Sequence, residues 1–235
     1  MIIDKEKCIG CGECVKFCTV SAIRLKKKKA EIHQEHCAEC GNCLRVRVCP
    51  SDAISQNQIE WPRTIRNIFS DPISVFKETG VSGRGTEEMK TNDVTGRFKK
   101  GEVGFAIDVG RPNGGGIYLR EVEKITKALA PLGVRFEKDS PLTYLFENGA
   151  AGTLKKEILD EFVVSAIVEC KTELENCVNV FRKLEEVSRD VNTIFSVGVI
   201  GTVDDDGSIP AKTLLEKEGI PVAPRGKINI GLGRR

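Results

Sequence analysis

The sequence predicts an α+β chain made of two dissimilar modules, and three observations carry that expectation. Eight of the ten cysteines lie within the first 49 of 235 residues, and their pattern occurs twice. From residue 103 onward, apolar residues alternate between the period of strands and the period of helices. A length of 235 residues also suits two modules at roughly 100 to 200 residues per domain.

Composition narrows the function classes. Apolar residues make up 40% and charged residues 30%, with 36 basic against 34 acidic, which is the balance of a globular chain. It does not favour a general nucleic-acid binder. The longest apolar stretches, 162–164 and 166–168 broken by Ser165, fall far short of the ~20 residues that span a bilayer, so no membrane span is expected. Met1-Ile2-Ile3-Asp4 lacks a basic region followed by an apolar run, and a cytoplasmic location is the expectation.

The first cysteine run is Cys8, Cys11, Cys14 and Cys18; the second is Cys37, Cys40, Cys43 and Cys49. A shift of 29 places lays the first triplet on the second, and Ser21-Ala22-Ile23 resembles Asp52-Ala53-Ile54. One unit is used twice. In a reducing compartment such density points to metal ligation rather than disulfides. Three thiolates two residues apart can wrap one face of an iron–sulfur cube, and Gly10, Gly12 and Gly41 permit close backbone approach. A zinc reading explains pairs of C-x2-C but not two triplets, each followed by a more distant fourth cysteine.

On these residues, 1–61 resemble the bacterial-type ferredoxins that hold two 4Fe-4S clusters. The resemblance implies crosswise ligation, in which the fourth cysteine of each run serves the other cluster. Cys8, Cys11, Cys14 and Cys49 would then bind one cube, and Cys18, Cys37, Cys40 and Cys43 the second. It also implies low-potential electron transfer to a partner oxidoreductase and, because reduced cubes react with oxygen, an anaerobic or microaerobic host. Two departures stand out: Thr19 replaces the usual proline after the fourth cysteine, and five residues rather than three separate Cys43 from Cys49. Neither removes a ligand. A module this small gains little from apolar burial, so metal would supply most of its folding free energy. Lys26 to Lys29 fall at the tip of an expected hairpin, read either as a solvated turn or as a patch steering toward an acidic partner.

Residues 62–101 read as a linker. Ile65, Ile68 and Phe69 suggest a short amphipathic helix; Asp71 and Pro72 suggest the N-cap and first turn of another, ending at Gly80. The glycine-rich stretch 80–101 reads as a flexible linker, with a partner or ligand loop as the other reading.

Over 102–203 the elements run strand, helix, strand, strand, helix, strand. Val103, Phe105, Ile107 and Val109 alternate as the first strand; Tyr118, Val122, Ile125 and Leu129 share a helix face; Val134 and Phe136 open the second strand. Phe162, Val164, Ala166, Val168 and Cys170 form the third strand, 172–175 a capping box, and Leu174, Cys177, Val178, Phe181 and Leu184 the second helix face. Phe195, Val197 and Val199 make the fourth strand. The order βαββαβ is the split ferredoxin-like sandwich, a layout resembling that of the amino-acid-sensing ACT-like domains. An insertion at 141–160, with helical turns over 154–160, interrupts its central hairpin.

Cys170 and Cys177 fall on core faces and read as buried structural thiols, and His33 and His36 read as surface residues. In the loop after the first strand, Gly114, Gly115 and Gly116 with Arg111 could cradle an anion at a helix N-terminus, or simply form a permissive turn. Residues 204–207 suggest a turn, Pro210 and Gly219 bracket a short helix, and 204–235 form a C-terminal extension in which Ile228 and Ile230 suggest an added strand. No activated nucleophile, acid/base pair or nucleotide fingerprint is present.

The reading is an electron-transfer subunit with two 4Fe-4S clusters and a C-terminal docking or oligomerisation module. The alternatives are a ligand-sensing fusion and a permanent wire within a large redox complex.

Overall fold

The computed structural model describes residues 1–78, 80, 96–97, 99–110 and 115–223. Arg111, Gly114 and the tail positions Ile228 and Ile230 lie outside them. Buried apolar side chains gather into two clusters, one within the first 54 residues and a larger one from Ile65 onward.

The N-terminal portion is two copies of a loop, one helical turn and a short strand. Helix α1 (Glu13–Lys16) follows Gly12 and helix α2 (Asn42–Arg45) follows Gly41, and both glycines are left-handed. Strand β1 (Ile2–Ile3) pairs with β4 (Ile54–Ser55), tying the two ends of the portion together. Strands β2 (Ile23–Lys26) and β3 (Lys29–Ile32) form a hairpin whose loop is Lys27-Lys28. Both loop residues have positive φ, 48° and 60°, the type I′ geometry that matches strand twist in a two-residue hairpin.

Helix α3 (Thr64–Ser70) faces two ways. Ile65 and Phe69, essentially inaccessible to solvent, enter the larger apolar core. Arg66 points back, donating Nη1 hydrogen bonds to the carbonyls of Gln34, Glu35 and Cys37 at 3.0, 2.8 and 3.1 Å, while its Nε pairs with Glu161. Residues 72–78 form turns rather than the helix expected after Asp71. Its carboxylate accepts from Arg45 at 2.7 Å and closes a turn onto the Ile73 N–H at 3.1 Å, and Ile73 is exposed.

Strands β5 (Glu102–Val109), β7 (Arg135–Phe136), β11 (Ala166–Glu173) and β12 (Phe195–Gly201) form one antiparallel sheet in the order β12-β5-β11-β7. Period-2 spacing puts Val103, Phe105, Ile107 and Val109 on the same face as Ala166, Val168 and Cys170, with Phe105 opposite Cys170 and Ile107 opposite Val168. Helix α4 (Leu119–Leu129) supplies Val122, Ile125 and Leu129 to this core, and α5 (Cys177–Val187) supplies Cys177, Val180 and Leu184. Burial pushes the Cys170 thiol up to about 12 and the Cys177 thiol up to about 11, so both are inert. Helix α6 (Pro210–Lys217), begun by its proline, covers the core with Ala211 and Leu215.

Three local readings are corrected. The expected continuous strand from Phe162 is broken: β10 (Phe162–Val163) pairs instead with β6 (Ile117–Tyr118), and the Val164 N–H leaves the ladder to donate to Ser70 Oγ at 2.9 Å. The capping box at 172–175 does not form. Thr172 and Glu173 remain in β11, Thr172 Oγ1 accepts from Asn176 Nδ2 at 3.0 Å, and a 3-10 turn at Leu174–Asn176 precedes α5. Within 141–160 the structure has 3-10 turns at Thr143–Leu145 and Lys156–Ile158, on either side of a hairpin of β8 (Phe146–Asn148) and β9 (Thr153–Leu154), so the turn expected over 154–160 is 3-10 rather than α-helical.

Two measurements test these contacts. Arg66→Met leaves Glu161 buried without its cation, and Glu161→Gln leaves Arg66 without its anion; each is expected to lower stability by about 3 kcal/mol. Urea unfolding of the metal-loaded chain measures this, and a double-mutant cycle should return a coupling well above the ~0.5 kcal/mol scatter of independent sites. Glu121 gives a pH dependence. Burial works against its ionised form, but Lys124 Nζ and the Asn192 N–H, both at 2.8 Å, outweigh that and hold its carboxyl below the usual value of 4.5. Its contribution is complete above that value and is lost as pH falls below it. In acid denaturation followed by circular dichroism, Glu121→Gln is therefore less stable at neutral pH and loses less on acidification.

Candidate metal centres

The eight N-terminal thiols converge on two clefts. Cys8, Cys11, Cys14 and Cys49 line one of about 310 Å³ together with Ile9, Gly10 and Gly12. Cys18, Cys37, Cys40 and Cys43 line another of about 320 Å³ together with Phe17, Ala38 and Gly41. Each cleft thus takes three thiols from one run and the fourth from the other.

Backbone geometry explains the convergence. Gly10 has φ +74°, and a Cβ there would lie 1.9 Å from the Lys28 carbonyl oxygen, so only glycine lets this loop lie against the β2–β3 hairpin. The same hairpin gives its Ala30 N–H to Cys8 Sγ at 3.3 Å, and Lys29 Nζ holds the Cys8 carbonyl at 2.5 Å. The fourth thiol of each run is oriented by a repeated device. Ser21 and Asp52 both take positive φ, turning the Ala22 N–H onto Cys18 Sγ at 3.1 Å and the Ala53 N–H onto Cys49 Sγ at 3.2 Å. The longer segment between Cys43 and Cys49 is accommodated beyond α2, where Arg47 has φ 48°. Thr19 has its hydroxyl 3.3 Å from Cys40 Sγ, which belongs to the other run but to the same quartet as Cys18.

Electrostatics define what the clefts can hold. Burial, followed by the charges of Cys40, Cys37 and Cys18, pushes the Cys43 thiol up to about 12. Cys14 is likewise raised by burial and then by Cys11 and Cys8, and Cys37 chiefly by burial. Cys49 moves the other way. Desolvation raises it, but the Ala53 N–H and Ser51 outweigh this and leave it lowered. Four thiolates at such close quarters require a multivalent cationic core.

Among the described residues no three His, Cys, Asp or Glu side chains converge tightly enough for a single metal. A zinc ion with bonds of about 2.3 Å would draw its four sulfurs to within about 4 Å of one another. Thiols spread around a cleft suit a cube of irons and sulfides, and the residues present fit that group.

The first 56 residues match the family described as the 4Fe-4S dicluster domain. Ferredoxin-3 of Nostoc sp. is 32% identical over 77 residues, covering 25% of this chain and 77% of that protein. The chain belongs to the dicluster ferredoxin family. Its N-terminal segment is a ferredoxin-type 4Fe-4S segment. One subunit of the ion-translocating oxidoreductase complex of Methanosarcina acetivorans is 51% identical over 47 residues, 20% of this chain and only 17% of that protein. Pyruvate synthase subunit PorD of Methanothermobacter marburgensis is 38% identical over 56 residues, 24% of this chain and 63% of that subunit. The chain therefore spans only part of either complex subunit. No solved structure matches the chain.

Of the anion cradle expected beyond the first sheet strand, Arg111 and Gly114 lie outside the described residues. Gly115 and Gly116 precede β6, not a helix, and α4 begins only at Leu119. Its leading N–H groups are already used: Leu119 donates to the Glu161 carbonyl at 3.1 Å and Arg120 to the Leu159 carbonyl at 3.0 Å. Gly116 is there for space, since a Cβ would lie 2.5 Å from the Phe162 ring. His33 is exposed and His36 half-buried, its ring stacked between those of His33 and Phe162 at 4.5 and 5.7 Å. Among the described residues no helix is long and apolar enough to cross a membrane.

The side chains around the second cleft escaped the sequence reading. Arg45 Nη2 donates to the Cys40 carbonyl at 2.7 Å, Asn67 Nδ2 to that of Glu39 at 3.0 Å, and Arg66 to that of Cys37. Arg63 pairs with Glu39, whose carboxyl burial raises but whose bonds to the Met1 amine and Arg63 hold below its usual value. Arg63, Arg66 and Asn67 lie 24 to 32 residues from these partners, so no local pattern announces them.

Gly10→Ala should prevent the loop from seating against the hairpin. Iron content of the purified chain is expected to fall by at least half. Gly133→Ala, with φ +70° but open space around its Cβ, costs only about 1 kcal/mol of backbone strain and leaves iron content unchanged.

Proposed function

We propose that the chain carries two 4Fe-4S clusters and passes low-potential electrons to a partner oxidoreductase. Cys8, Cys11, Cys14 and Cys49 would hold the first cluster, and Cys18, Cys37, Cys40 and Cys43 the second. The observation that carries this reading is that each triplet meets the remaining thiol of the other run around a cleft. A bound cube takes up and releases one electron at a time. The chain's own residues do the rest. Amides of Ala22, Ala30 and Ala53 donate to thiolate sulfurs and favour the electron-rich state, and the apolar walls from Ile3, Ile23 and Ile54 limit water.

Residues 102–203 are read as a ferredoxin-like βαββαβ module that holds α3 against the second cysteine loop and presents the carrier to other subunits. The strand order β12-β5-β11-β7 and the helices α4 and α5 support that layout. The relatives named as subunits of an ion-translocating complex and of pyruvate synthase support a permanent redox partner. Small-anion sensing has no support at Gly115 and Gly116, where the helix amides are already paired.

Anaerobically prepared protein is expected to contain about eight irons and eight sulfides per chain and to bleach reversibly on reduction. Cys49→Ser and Cys18→Ser should each remove roughly half the iron, and a chain that binds zinc in place of iron would overturn the proposal. Chelation of the iron should abolish the N-terminal fold in heteronuclear NMR spectra.

A further inference from the structure

We propose that the hairpin tip Lys27-Lys28, beside exposed Ile9, Cys11 and Leu25, is the surface through which the first cysteine quartet exchanges electrons, and that it receives an acidic patch on a redox protein. The inference rests on the electron-carrier reading above and adds the port and the charge of its partner.

The two quartets differ in their surroundings. The carbonyls of Cys37, Glu39 and Cys40 are held by Arg66, Asn67 and Arg45, and all four thiols of the second quartet are buried or half-buried. The first faces out. Cys11 is exposed, and Ile9 and Leu25 are 66% and 50% accessible, large apolar side chains that water would disfavour unless something covers them. Leu25 lies directly over the loop, since a Cβ on Gly12 would stand 3.1 Å from its Cδ1.

Of the lysines at the hairpin and around this apolar spot, three are held and, among the described residues, two are free. Lys16 is paired with Glu13 at 2.8 Å and Lys26 faces Glu31 at 3.7 Å, while Lys29 is held by the Cys8 carbonyl. Lys27 and Lys28 remain exposed, without an ion pair among the described residues. Their backbone abuts the loop, the Lys28 carbonyl packing against Gly10 between Ile9 and Cys11. An apolar spot edged by free ammonium groups is complementary to an apolar spot edged by carboxylates, and such pairing chiefly accelerates encounter.

Voltammetry of the full, metal-loaded chain on gold bearing carboxylate-terminated or ammonium-terminated alkanethiol monolayers tests this, the electrode acting as electron donor and acceptor. Exchange is expected to be faster on the carboxylate surface, and that advantage to shrink roughly tenfold as salt shortens the screening length from about 30 Å at 0.01 M to about 3 Å at 1 M. Lys27→Asn with Lys28→Gly removes both charges and retains the turn, since Asn-Gly suits positive φ at both positions. At unchanged iron content this variant is expected to lose roughly tenfold on carboxylate and little on ammonium. Equal rates on the two surfaces, a preference for ammonium, or an undiminished rate in the variant would overturn the surface. The salt dependence of the unaltered chain decides the matter even if the variant binds less iron. A chain that binds no iron overturns the carrier reading, whereas full iron without a carboxylate preference overturns only the port.

Discussion

Four thiols cannot share one buried cleft as thiolates unless a multivalent cation sits among them. Burial pushes the Cys43 thiol up to about 12, with Cys40, Cys37 and Cys18 adding to the effect, so proximity by itself works against that thiol's ionisation. Everything else in the first 56 residues follows from meeting that requirement twice. Tight glycine turns bring three thiols to each cleft, and two short sheets close the chain so that the fourth can arrive from the other run. The amides of Ala22 and Ala53 aim those fourth thiols at 3.1 and 3.2 Å.

The repeat is symmetric in sequence but not in surroundings. The first quartet is bordered by the hairpin and open at Cys11, while the second is enclosed by arginines that reach its loop carbonyls. Each of those guanidinium groups is itself paired, Arg45 with Asp71, Arg63 with Glu39 and Arg66 with Glu161, so the asymmetry bears on access rather than on net charge. Arg66 is central to it, because a single side chain touches the second loop at three carbonyls and also reaches Glu161, which heads the segment entering β10.

Much of this was legible locally. The paired triplets were enough to point to cubes, because spacing between thiols is a property of the loop itself. Strands and helices between 102 and 201 followed from periodicity, because Val103, Phe105, Ile107 and Val109 must share one face in any sheet. What failed did so where a distant partner intervened. Asp71, which reads as an N-cap, is taken by Arg45; the strand from Phe162 breaks because Ser70 claims the Val164 amide. The glycines at 115 and 116 looked like a cradle before a helix, yet they precede a strand and Gly116 serves close packing under Phe162. None of these partners lies within one turn or one hairpin in sequence.

The two apolar clusters are unlike in what holds them. The larger contains fully buried Phe, Ile and Leu side chains from a four-stranded sheet and its helices, each worth about 1.5–3 kcal/mol on burial. The smaller has little of that kind: Cys8, Cys14, Cys37 and Cys43 are among its buried members, with Ala22, Ala30 and Ala53 filling much of the remainder. Ligand bonds must therefore replace hydrophobic burial there, and loss of metal would remove one cluster and leave the other standing. Arg66 and Glu161 sit at the seam. Once the loop carbonyls at 34–37 depart, the guanidinium loses three acceptors but keeps its carboxylate, so the seam stays charge-balanced while the N-terminal portion comes and goes with its metal.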